Sequence, residues 1–235
     1  MNIDVGPTVI DLAVSSRRDL NGALHNLRAT TNATLWRVLN PRGAHALAVG
    51  LDAPVSVEIA GHVGYYCGGM NQHASVVIDG NAGPGVAENM MSGEVRVRGN
   101  ASQAAGATGR GGLLIIDGDA AARCGISMKG IDIVVRGSVG HMSAFMAQRG
   151  NLVVCGDAGD SLGDSLYEAK LFVRGTVKSL GADCEEKPMT ADDLAILENL
   201  LARAGFPEAP AADQFRLYGS ARRLYHFHVD NASDY

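Results

Sequence analysis

The chain has 235 residues, a formal net charge of −5 and 46% hydrophobic residues, enough for one or two domains with a real core. The negative balance and the absence of a basic run exclude a nucleic-acid surface, and Gly109-Arg110-Gly111 reads as one turn of a repeat rather than an RNA-binding tract. No stretch approaches eighteen apolar residues, and a start with Asp4 and no basic residue does not read as a signal peptide, so a cytoplasmic protein without a membrane span is expected.

Residues 1–54 read as a small α/β cap. A strand is expected at 9–12 and a helix at 15–27, with Leu20, Leu24 and Leu27 on one stripe and Ser15 or Ser16 as its cap. Strands at 35–39 and 45–49 would flank an Asn40-Pro41-Arg42-Gly43 turn.

From residue 55 the pattern changes. Gly61, Gly80, Gly99, Gly118, Gly137, Gly156 and Gly175 recur every nineteen residues with no insertion. Two residues before each stands Ile or Val, and four before it Val57, Val76, Val95, Leu114, Ile133, Leu152 or Leu171. Two after it come Val63, Ala82, Ala101, Ala120, Val139, Ala158 and Val177; seven after it the residue is always Gly or Ala. One such unit cannot bury its apolar stripe alone, whereas stacked copies can. The expected fold is mainly β: a right-handed parallel β-helix, a single-stranded solenoid of about seven coils over 55–183, roughly 4.8 Å apart. Each anchor glycine is expected to end its strand where a side chain would crowd the chain.

Two columns face outward. Asp79, Arg98, Asp117 and Arg136 alternate in sign one residue before the anchors, a register-fixing ladder. Three residues before the anchors, Ile115, Val134, Val153 and Phe172 form an apolar strip that needs a cover, either this chain's own terminal segments or another protein. These four are candidate interface residues.

Residues 184–235 read as a helix and a docking tail. Thr190 with Asp193 makes a capping box, Leu194, Leu197, Leu200 and Leu201 a stripe, and Gly205 with Pro207 the end. The tail from 215 to 235 is rich in aromatics and arginine; Arg222, Arg223, Tyr225 and Phe227 are candidate interface residues expected to meet a neighbour.

A search for chemistry finds no catalytic, cofactor-binding or metal-ligating set. Gly80-Asn81-Ala82-Gly83-Pro84-Gly85 is followed by another β coil, not the helix a dinucleotide site requires. His226-x-His228 lacks a third ligand, and His62 and His141 sit at coil corners. Cys67 and Cys124 share a column three coils apart, about 14 Å, too far for a disulfide or a shared metal. Without C-x-x-C, an iron–sulfur cluster held by this chain alone is not expected.

The segments Gly61-His62-Val63-Gly64, 80–85, 91–99, Gly137-Ser138-Val139-Gly140 and Gly156-Asp157-Ala158-Gly159 resemble the GXGXG domain at the end of the large subunit of bacterial glutamate synthase, a right-handed β-helix. With its flanks, the chain looks most like the separate GXGXG subunit of N-methylglutamate synthases. It is also similar to the GXGXG-type subunit of formylmethanofuran dehydrogenase and of the related formyltransferase/hydrolase complexes. The resemblance implies a scaffold role in a hetero-oligomer with a glutamine amidotransferase-like and a synthase-like subunit, FMN and the iron–sulfur cluster residing on the latter. It carries no family catalytic residue onto this chain. A self-contained β-helical carbohydrate-active or binding protein is the reading of another class.

Overall fold

The computed structural model describes residues 6–206 and 208–222. It opens with β1 (Thr8–Asp11), α1 (Arg17–His25) and β2 (Leu35–Leu39), a parallel crossover that places Ile10 opposite Val38. Ser16 caps α1: its hydroxyl accepts the Asp19 N–H, and the Asp19 carboxylate accepts the Ser16 N–H. Two donors that a helix start leaves free are thereby satisfied. Leu20 and Leu24 are buried in the main core, so α1 closes the N-terminal end of the stack.

The strand expected at 45–49 does not form. Ala46 and Ala48 are left-handed, at φ 54° and 52°, and Gly50 follows at 66°. Residues of that hand cannot continue an extended chain. Asn21 on α1 holds the segment, donating to the Ala46 carbonyl at 2.7 Å and accepting the Ala48 N–H at 3.0 Å. The stretch is the far side of an additional coil, since β2 pairs in parallel with β3 (Ser56–Ala60), Val38 opposite Ile59.

The glycine-marked strands then follow as β4 (Ser75–Ile78), β5 (Glu94–Val97), β6 (Leu113–Ile116), β7 (Lys129–Val135), β8 (Arg149–Val154) and β9 (Lys170–Val173). Each pairs in parallel with its counterpart one coil away, so Val57, Val76, Val95, Leu114, Ile133, Leu152 and Leu171 stand in register. All seven are 0% exposed. A second line of parallel bridges joins Val63, Ala82, Ala101, Ala120, Val139, Ala158 and Val177. The fold is thus mainly β, a solenoid of about seven turns.

The anchor glycines lie at the bend that ends each strand, and the crowding there comes from the neighbouring coil. A Cβ on Gly80 would lie 2.7 Å from the Gly61 carbonyl carbon, and one on Gly118 2.8 Å from the Gly99 oxygen. Each glycine N–H from Gly99 to Gly175 donates to the glycine carbonyl one coil before, at 2.9–3.0 Å. The small residues seven positions on have a different cause. Gly68, Ala87, Gly106, Gly125, Ala144 and Gly163 face the packed interior: a Cβ on Gly106 would lie 2.6 Å from Ile133 Cδ1 and one on Gly163 2.8 Å from Leu171 Cδ1, and Ala87 and Ala144 are 0% exposed.

The chain ends with β10 (Cys184–Lys187), α2 (Ala191–Ala204), a short 3₁₀ turn at Ala212–Gln214 and β11 (Arg216–Ser220). Strand β11 inserts antiparallel between β9 and β10, and Glu185, Glu186 and Lys187 make the resulting edge charged, which discourages further pairing. The first part of the tail therefore docks on its own rod, not on a neighbour: Phe215, Leu217 and Tyr218 are buried.

Candidate functional site

The apolar strip is covered by this chain. Ile115, Val134, Val153 and Phe172 are 0% exposed, packed with Leu197, Leu200, Leu201 and Ala204 of α2 and with Phe206, Phe215 and Leu217. As candidate interface residues they are corrected: the stripe of α2 already occupies the surface that a partner would need. Arg96 fastens the end of that helix. Its guanidinium forks onto Asp117 at 2.7 and 3.1 Å, donates to the Ala204 carbonyl at 2.8 Å, and lies 5.8 Å from the Phe206 ring centre. A cation at a helix C-terminus also meets the negative end of its dipole.

The start of α2 is held with equal care. Thr190 and Asp193 form the capping box, and Lys170 of β9 reaches Asp193 at 2.6 Å. Burial alone would raise the Asp193 carboxyl, but Lys170 and the Thr190 hydroxyl and N–H outweigh it and hold it below its ordinary 3.8. A depressed carboxyl contributes stability that is full above the unfolded value and is lost as pH falls through the folded one. Acid should therefore loosen α2 below about pH 3.8. Hydrogen exchange of α2 amides against pH is expected to show a step there that Asp193→Asn abolishes.

A polar ladder that sequence reading missed runs along the residue after each anchor. His62 Nδ1 accepts the Asn81 N–H, Asn81 that of Asn100, Asn100 that of Asp119, Asp119 that of Ser138, Ser138 that of Asp157, and Asp157 that of Thr176, all at 2.7–3.0 Å. Its signal was legible as a short side-chain acceptor following every anchor glycine. The alternating column is realised in part: Arg98 meets Asp79 at 3.8 Å, while Asp117 is taken by Arg96.

The groups that carry chemistry elsewhere are engaged in structure here. Burial raises the Cys67 and Cys124 thiols to about 12, and those of Cys155 and Cys184 to about 11. A thiol reagent near pH 8 is expected to modify none of the four in the native chain and all four after denaturation, read by mass shift. His45 Nδ1 accepts the Tyr65 N–H at 3.1 Å with the two rings stacked, and His25 contacts the Val49 carbonyl. The 80–85 loop is a coil corner, where a Cβ on Gly83 would meet Gly64. Among the described residues, no group of three His, Cys, Asp or Glu is placed to hold a metal, and no helix is long and apolar enough to cross a membrane. Exposed Arg222 pairs with Asp183. Arg223, Tyr225, Phe227 and His226-x-His228 lie outside the described residues.

Glycine ladder, in-register strands and strapping helix define a protein of the parallel β-solenoid class. No protein-family model matches the chain. It is 63% identical over 227 residues to Protein GlxC of Rhizobium meliloti (strain 1021), covering 97% of this chain and 99% of that protein. The chain belongs to the GlxC family.

Proposed function

We propose that the chain is the non-catalytic scaffold subunit of a glutamate-synthase-like complex of the N-methylglutamate synthase type, which turns methylamine and glutamate into N-methylglutamate and ammonia. The observation that carries this reading is the glycine-to-glycine hydrogen-bond ladder, which runs through the segments that resemble the GXGXG domain. Buried thiols, and histidines turned onto backbone groups, support a structural role for the chain. In this reading an amidotransferase-like subunit and a synthase-like subunit bearing FMN and the iron–sulfur cluster assemble on the rod.

Co-expression with both candidate subunits tests it. The chain is expected to co-purify with the two, the flavin absorbance following the synthase-like subunit. A chain that purifies alone with bound flavin, or that turns substrate over by itself, contradicts the proposal.

A further inference from the structure

One corner of the solenoid carries a line of like charges. Arg110, Lys129 and Arg149 lie on three successive coils, each followed by a glycine. Lys129 stands opposite Arg149 across β7 and β8, where a bulge between Lys129 and Asp132 shifts the register. The Arg149 N–H donates to the Met128 carbonyl and the Lys129 N–H to that of Gly109, which fixes the three on adjacent turns about 4.8 Å apart. All three are exposed, and the line of cations ends at Glu168, one coil beyond Arg149. The carboxylate of Asp132, three residues from Lys129, is engaged by Asn151 Nδ2 at 2.7 Å.

Like charges set opposite each other across strands weaken a sheet, and the neighbouring outward column avoids this by alternating Asp79, Arg98, Asp117 and Arg136. The exception is concentrated on one edge of a chain whose net charge is −5. Met91, one coil before Arg110, and Met146, on the coil of Arg149, are 44% and 51% exposed. Methionine adapts its shape to an incoming apolar surface.

We propose that Arg110, Lys129 and Arg149 form a docking edge for an acidic segment of a partner protein, with Met91 and Met146 taking its apolar side chains. This rests on the complex described above, so the partner is one of the two companion subunits. The cations steer and orient the encounter, and the methionines supply the desolvated contact.

The test co-expresses the chain with the amidotransferase-like and synthase-like subunits and measures affinity by titration at low and raised salt. The triple variant Arg110→Glu, Lys129→Glu, Arg149→Glu is compared with a control of equal charge change, Arg17→Glu, Arg18→Glu, Arg37→Glu, also at exposed positions. The ladder variant is expected to bind one subunit at least about tenfold more weakly and to lose its salt dependence, with the control unchanged. Should it fail to fold, the Gln versions at the same three positions give the same comparison. Unchanged affinity, or an equal loss in the control, overturns the docking edge and leaves the complex standing. Wild type that binds neither subunit overturns both. Wild type that self-associates, and becomes monomeric on reversal, assigns the edge to a second copy and overturns the proposal.

Discussion

Gly118→Ala is expected to destabilise the chain by roughly 3 kcal/mol or more and to lower the thermal midpoint by roughly 6–12 °C. One methyl suffices because the new Cβ would sit 2.8 Å from the Gly99 oxygen and 3.0 Å from its carbon, and closer still to Asn100 Oδ1. Neither neighbour is free to retreat. The Gly99 carbonyl accepts the Gly118 N–H, and Asn100 Oδ1 accepts the Asp119 N–H. Parting the two coils breaks both ladders at once. Gly22→Ala is the contrasting case: it lies within α1 with nothing within 4 Å of the new Cβ. That change is expected to stabilise by about 0.5–1 kcal/mol, the ordinary helix preference for Ala. Both are read by thermal unfolding under one buffer condition. Equal effects from the two substitutions would refute backbone contact as the reason for the anchors.

The second large effect is Leu197→Asp, expected to cost roughly 3–5 kcal/mol locally and to release α2 from the sheet. Leu197 is 0% exposed in the apolar cluster with Val134, Val153 and Phe172, so a carboxylate there would be buried among hydrocarbon side chains. The freed strip should bind a hydrophobic dye, and α2 should become sensitive to protease while the solenoid strands stay protected. Loss of protection throughout the sheet would instead show that helix and rod unfold as one unit. Arg96→Ala is a milder version of the same experiment, since it frees one end of α2 and leaves Asp117 without its guanidinium.

The repeat was readable because a stacked coil imposes the same demand at the same position every nineteen residues. The α2 helix was equally readable: Thr190, Asp193 and Gly205 act through neighbours in sequence, and each does what its residue type suggests. The coil built from residues 41–54 was not, because Ala46 and Ala48 carry no mark of a left-handed backbone and alternate with residues that suit a strand. The cover over Ile115, Val134, Val153 and Phe172 was recognised as necessary, but its source depends on where α2 comes to rest. That is a long-range outcome fixed by Arg96 and Lys170, and neither residue's spacing reveals it. The same holds for β11, where Tyr218 and the adjoining Phe215 suggested an interface and the antiparallel insertion beside β9 buries both against the rod.

The most direct measurement is reconstitution of methylamine-dependent N-methylglutamate formation from separately purified subunits, with and without this chain. Turnover and a stable assembly are expected only when the chain is present, with all flavin on the synthase-like subunit and none on the solenoid. Full turnover by the other two subunits alone, or flavin and activity on the solenoid alone, would contradict a rod that organises the complex without performing its chemistry.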